Sequence, residues 1–370
     1  MRLSWHRTGA PAARWVSPSL LPSLLPSPSP SPSPSRLTAA ARRGMATEAP
    51  AQVKTAGEIA KRIACTQLLL TRWAVEDFLV NRSSDAQDAE GKKRIEDSYN
   101  VIQAAVAHPV VAQQFTLLEH RLLKKPLGAW DTEDDLVPVS ARWESLGTLL
   151  WLLKTLDRFP SPHRAFPRDL LFRTSGIVPA HVDTLTGFTD YFATGAGAQG
   201  HVQPTHAVQA AANAVEAWWW RAKAQTVLEM KLAVEDAKHQ DAAQYAAFKK
   251  SIPSGLVRVM QSIEQAIELA ATRSLAEGYI QLVVDKDFGV PADTPADNGA
   301  GAAADDDAPP AYVAYRAAPA HRLWELEMQS ATRLRALGWY RGLTGWDTGE
   351  VKPLNVMNAV WAPANDDAAS

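Results

Sequence analysis

A single cysteine, Cys65, stands in a chain of 370 residues, which excludes an intramolecular disulfide and any multi-cysteine zinc or iron–sulfur site. A reducing, intracellular compartment is the natural expectation. Cys65 sits beside Ala64 in a helical pattern and reads as a small core residue, not a nucleophile. Long apolar runs are also missing: no stretch of about 18 apolar residues occurs, so no membrane-spanning helix is expected. Acid is missing before Glu48, although Arg2, Arg7, Arg14, Arg36, Arg42 and Arg43 all fall there, leaving −8 on the rest of a chain whose net charge is −2. A mildly acidic body argues against nucleic acid as a partner, because affinity for phosphate backbones needs clustered Lys and Arg. Between Asp287 and Arg316 there is, conversely, no basic residue.

Familiar catalytic patterns are absent as well. There is no Gly-x-Ser-x-Gly elbow, Walker-type loop or His-Glu-x-x-His pair. A carboxylate-bridged metal pair in a helical bundle needs Glu-x-x-His, and none of the nine histidines has a glutamate three residues earlier. Asp236-x-x-His239 comes nearest and reads as a charged helix surface, while Pro204 breaks the register between His201 and His206. Gly195 to Gly200 formally matches a dinucleotide fingerprint. That motif works only after a buried strand and at a helix start, and neither is present, so a flexible connector is expected. No metal and no cofactor are called, and catalytic residues stay unassigned.

What is present is mostly helical periodicity. Residues 1–50, rich in Arg, Ser and Pro with an alternating Ser-Pro tract from Ser27 to Ser35, read as a disordered leader. A cytoplasmic protein is the favoured expectation, with residues 1–50 a simple disordered tail or Met45 the true start; if residues 1–45 are instead a transit peptide, the protein is mitochondrial. The folded part opens at Thr55-x-x-Glu58, a capping-box pattern followed by Ile59, Ile63, Leu70 and Trp73 on one helical face. A second helix from about residue 92 carries Ile95, Tyr99, Ile102 and Val106 and stops at His108-Pro109, and a third spans Val111 to Leu123. Ser140 is placed to cap the helix bearing Trp143, Leu146, Leu150 and Leu153. Prolines at 160, 162, 167 and 179 leave room for one short helix; beyond them Val208, Ala212, Val215, Trp219 and Ala222 mark a long one. A further helix runs from Val257 toward Leu275.

Residues 289–311 read as a disordered acidic insertion and 363–370 as a flexible tail, while 51–288 and 312–362 form one helical domain. The expected class is all-α: a single multi-helix domain with at most one small β-ribbon, made by pairing Ile280–Val284 with Tyr312–Tyr315. Three adjacent tryptophans, Trp218, Trp219 and Trp220, spread over about 300° of a helix, so they cannot share one face and at least one should meet a loop or border a pocket.

Two tryptophan clusters carry the most information. Arg142-Trp143-Glu144 leads to Trp151 within a leucine run, and Arg333-x-Arg335-Ala336-Leu337-Gly338-Trp339 leads to Trp346-Asp347-Thr348. Together with the Trp220-Arg221 neighbourhood and Glu277 to Phe288, they resemble the signature segments of the family catalogued as domain of unknown function 4272, over roughly residues 55–350. The resemblance implies a helical fold and supplies no catalytic residue, since no activity is established for that family.

Arg142, Trp143, Glu144, Trp151, Arg333, Trp339, Trp346 and Asp347 are therefore the candidate pocket or structural tie. Two functions follow. The favoured one is a non-enzymatic interaction or scaffold protein with an unidentified protein or small-molecule partner. The other is an enzyme or small-ligand binder with a cleft lined by Arg142, Glu144, Trp346 and Asp347. Closed, buried ion pairs would favour the first and convergence around a cavity the second. The two clusters are expected to meet, with Arg142 paired to Asp347.

Overall fold

The computed structural model describes residues 53–81, 89–175, 181–194, 201–292 and 311–347. The leader, the glycine run at 195–200, residues 293–310 of the acidic stretch, Thr348 and the tail lie outside them. Helix α1 (Ala56–Asn81) starts at the expected capping box: the Glu58 amide donates to Thr55 Oγ1 at 3.2 Å and the Thr55 amide donates to Glu58 Oε2 at 2.9 Å. Its apolar stripe is sealed, with Ile59, Ile63, Leu68 and Leu70 wholly inaccessible. Each such side chain contributes about 1.5–3 kcal/mol of hydrophobic burial.

Next come α2 (Ala89–Ala107), α3 (Pro109–Ala112) and α4 (Leu117–Leu123). The continuous helix expected over Val111 to Leu123 is split, because Thr116 and Glu119 form a second capping box that starts α4 afresh. A π-turn at Thr132–Leu136, capped by Asp131, leads through α5 (Val137–Ser140) into α6 (Arg142–Leu152). The capping role expected of Ser140 is not observed: its hydroxyl donates back to Val137 O at 2.7 Å, and α6 continues from α5 with no side-chain cap. The entry signal lies further upstream, where Asp131 Oδ1 accepts from the amides of Glu133 and Asp134.

After α7 (Arg168–Ser175) and α8 (Val182–Thr194), the chain builds its central rod, α9 (Thr205–Gln240), followed by α10 (Ala242–Ser251) and α11 (Ser254–Ala276). A small antiparallel sheet is formed by β1 (Val283–Val284), β2 (Asp287–Pro291) and β3 (Tyr312–Ala314), and α12 (Ala320–Tyr340) closes the fold. α1 packs on α6 and α8, α9 packs on α11 and α12, and α12 also packs on α6, joining the two halves. All three tryptophans of α9 are buried: Trp218 meets Phe288 edge-on at 5.5 Å and donates its indole N–H to Tyr279 O at 3.2 Å. One side of the rod thus meets the loop and sheet, which is where the 300° spread of tryptophans finds its third wall.

The fold is helical, as expected, but the ribbon is paired differently. The segments at 280–284 and 312–315 do not pair with each other; β2 lies between them, with Val283 opposite Phe288 and Val290 opposite Val313. The reason is a two-residue turn at Asp285 (φ 48°) and Lys286 (φ 65°), whose left-handed backbone matches strand twist. It also corrects the boundary of the acidic insertion. Gly289, Val290 and Pro291 belong to β2, and Val290 is wholly buried.

Candidate functional site

Arg142 and Glu144 sit in the first turn of α6, two residues and therefore about 200° apart around the helix. They face different partners. Glu144 meets Arg333 of α12: Arg333 Nε donates to Glu144 Oε2 at 2.7 Å, and the other carboxylate oxygen accepts the Phe166 amide at 3.2 Å. Arg333 is wholly buried and also donates to the carbonyls of Pro160 (3.4 Å), Ser161 (3.3 Å) and Arg164. Its guanidinium carbon lies 4.9 Å from the Phe166 ring and 5.4 Å from Phe159. Burial lowers the pKa of Arg333 and Glu144 opposes that fall, and the residue remains charged. One arginine thus fixes a carboxylate, two rings and three carbonyls of the 159–166 loop.

Arg142 reaches the second cluster. Its Nη2 donates to Asp347 Oδ1 at 3.2 Å and its guanidinium carbon lies 5.2 Å from the Trp346 ring, while Nη1 is buried with no hydrogen-bond partner. Arg62 of α1 approaches the same ring at 5.2 Å and binds both oxygens of Glu119 at 2.8 and 2.9 Å; Glu119 Oε1 also accepts from Trp346 Nε1 at 3.0 Å. Trp346 stacks edge-on against Trp339 at 5.4 Å, and Lys54 lies 5.8 Å from the Trp339 ring. The structure therefore brings Arg142, Asp347, Trp346 and Trp339 together near the end of α12.

The remaining candidates have separate surroundings. Trp143 packs against Trp73 at 6.2 Å and Phe172 at 4.7 Å. Trp151 packs edge-on against Phe159 at 4.8 Å and borders a cleft beside α9. Among the described residues, Arg142, Trp346 and Asp347 meet near the end of α12 whereas Glu144 is turned away to Arg333.

Three buried ion pairs or networks went unread in the sequence. Arg221 binds Asp287 through both oxygens, at 2.6 and 2.7 Å, and lies 4.3 Å from the Tyr315 ring, tying α9 to β2. Arg72 pairs with Glu76 on α1 and donates to Pro126 O at 2.8 Å, while Glu76 accepts the Gly128 amide at 3.0 Å. Arg62 with Glu119 is the third. A signal existed for α1: Arg62 and Glu76 fall at helical spacing within its apolar stripe, where an unpaired charge would be intolerable.

Chemically, each of these carboxylates accepts at least one hydrogen bond, although Glu76 Oε2 has no partner, and no group of three or more His, Cys, Asp or Glu among the described residues is placed to hold a metal ion. Cys65 is wholly buried, and that burial pushes its thiol up to about 12, which removes the nucleophilic thiolate. No helix among the described residues is long and apolar enough to cross a membrane. Comparison with protein-family models, curated proteins and solved structures finds no match to this chain.

Proposed function

We propose that this is a non-enzymatic helical scaffold or interaction protein, in which the tryptophan clusters hold helices in register and the outer surface meets a partner. One observation carries this reading: Glu144, the carboxylate at the centre of the first cluster, is closed on both oxygens by Arg333 and the Phe166 amide. A general base or nucleophile needs an oxygen open to substrate. Arg142 and Asp347 likewise join two parts of the chain 205 positions apart. The likeness to the uncharacterised family 4272 belongs to this proposal and rests on the quoted residues alone. The partner is read as a protein or small molecule and not nucleic acid, given the acidic body, in a reducing compartment such as the cytoplasm or, after leader cleavage, the mitochondrion.

Native mass spectrometry of the full chain purified from its own cells tests the reading. A stoichiometric second polypeptide, retained at moderate salt and preserved in Glu144→Gln at a temperature where that variant is folded, is expected. A co-purified small molecule that the wild type converts to a new mass, and Glu144→Gln does not, would overturn it.

A further inference from the structure

The solvent-facing strip of a helix is ordinarily charged, and the outer strip of α12 is mostly apolar. Trp324, Met328, Ala331, Arg335 and Trp339 fall within about 80° of one another around the helix, between the buried Thr332 and Leu334. Trp324 is 39% exposed and the other four are half-buried. On its opposite side α12 is buried against α9 and α6. An apolar strip left on the outside marks a surface that something else covers.

The strip's one charge lacks a carboxylate of its own. Arg335 makes no ion pair among the described residues, and its Nε is buried without a hydrogen-bond partner. Burial and then Arg142 lower its pKa while Asp347 opposes them, so two arginines share one aspartate that Arg142 already binds at 3.2 Å. The acids flanking the strip are engaged elsewhere: Glu325 accepts from Arg322 at 2.8 Å and Glu327 from Lys223 at 2.6 Å. Whatever covers the strip should therefore bring apolar side chains and a carboxylate. Trp346 packs on Trp339 at 5.4 Å, so the chain arrives at Asp347, the last described residue, at the edge of this same strip.

The sequence that follows supplies both. Leu354, Met357 and Trp361 step by three and then four, between Pro353, which suits a first helical turn, and Pro363, which stops a helix. Read backwards from Ala331, the strip has the same steps through Met328 to Trp324. We infer that residues 353–361 lie as a short helix antiparallel to α12 on this strip, Leu354 on Ala331, Met357 on Met328 and Trp361 on Trp324, with Glu350 in the preceding turn paired to Arg335. An antiparallel run is the one that stays on the strip, because the chain leaves α12 at its C-terminal end. The reach suffices: Arg335 lies about 6 Å back along the axis from Trp339, and the four residues from Trp346 to Glu350 span up to about 13 Å. Other covers fit less well. The leader has six arginines and no acid before Glu48, and would meet Arg335 with like charge. A second copy of the strip brings no carboxylate to Arg335. The contact stands whether the protein is a scaffold or an enzyme.

Disulfide trapping in the full-length chain tests this register, since the wholly buried Cys65, its thiol pushed up to about 12, does not compete. In Ala331→Cys with Leu354→Cys the two sulfurs face each other; in Ala331→Cys with Val356→Cys the second lies about 200° around its helix. Mild oxidation of dilute protein should close the first pair roughly tenfold faster than the second, and adding Glu350→Lys should slow the first about tenfold by removing the partner of Arg335. Equal rates for the two pairs, or closure of neither, would overturn the contact. Disulfide-linked dimers in place of the internal bond would show that a second copy covers the strip, and an unchanged rate with Glu350→Lys would remove Arg335 as the anchor; either result overturns the assignment.

Discussion

Arg142 and Glu144 share one turn of α6, yet they make opposite kinds of contact. Glu144 is closed on both oxygens inside a network with a wholly buried arginine that also holds three loop carbonyls. Arg142 makes one hydrogen bond of 3.2 Å to an aspartate whose side chain is 23% exposed, and keeps a buried N–H unbonded. The first is a tie between helices and a loop; the second is a latch at the rim. Arg142 and Glu144 are themselves similarly buried; the difference lies in their partners, because Arg333 is sealed from water and depends wholly on protein groups while Asp347 is partly exposed and can exchange its partner for water.

The comparison is broken most directly at Glu144. Glu144→Gln keeps the shape and leaves the buried Arg333 without its counter-charge, so urea unfolding should show a loss of about 3–5 kcal/mol. A loss under about 1 kcal/mol, the range of exposed pairs, would make the tie no different from the latch. A second, smaller effect comes from packing against the same network. A Cβ at Gly147 would lie 2.3 Å from the Phe166 ring, which in turn lies against Arg333. Gly147→Ala must therefore displace that ring, and the overpacking should cost about 1–3 kcal/mol in the same measurement. A stabilised variant, as alanine's better helix propensity alone would give, would show that Phe166 is free to move aside.

Such contrasts mark where sequence reading succeeds. The capping box at Thr55 and Glu58, the stripe of α1 and the long rod of α9 were legible because caps and helical periods are local: a few residues determine them. The meeting of Arg142 with Asp347 followed from the need to return the last helix to the middle ones. Grouping Arg142 and Glu144 as walls of one cleft was the error, and the helix angle of about 100° per residue already argued against it. The Arg333 partnership depends on where a loop 170 positions away settles, and no local pattern fixes that. His163 carried no signal beyond lying among prolines. Its setting is made by α9, α12 and the approach to β1 together.

Lesser effects sharpen the latch. In a double-mutant cycle with Arg142→Ala and Asp347→Ala, the coupling energy should be about 1 kcal/mol, below a sealed charged pair and at the top of the exposed range. Strictly additive losses would show that Arg142 and Asp347 do not interact, and the latch would be only a proximity. A coupling above about 3 kcal/mol would make it a second tie.

The smallest expected effect lies on the other face of the pinned loop. His163 has its pKa lowered to about 4, first by burial and then by Arg164, Arg322 and Arg333, whereas the same histidine titrates near its ordinary value in the unfolded chain. Below that ordinary value the unfolded chain binds a proton that the folded chain refuses, so stability falls as pH falls, beginning near pH 6.5 and ending only at about 4. Carboxylates elsewhere add their own acid destabilisation, which makes the informative quantity the difference between wild type and His163→Phe. With allowance for solvent at the cleft, the wild type should lose about 0.5 kcal/mol more than the variant between roughly pH 7.5 and 6. Parallel stability curves for the two proteins would show that His163 accepts its proton as readily in the fold as outside it.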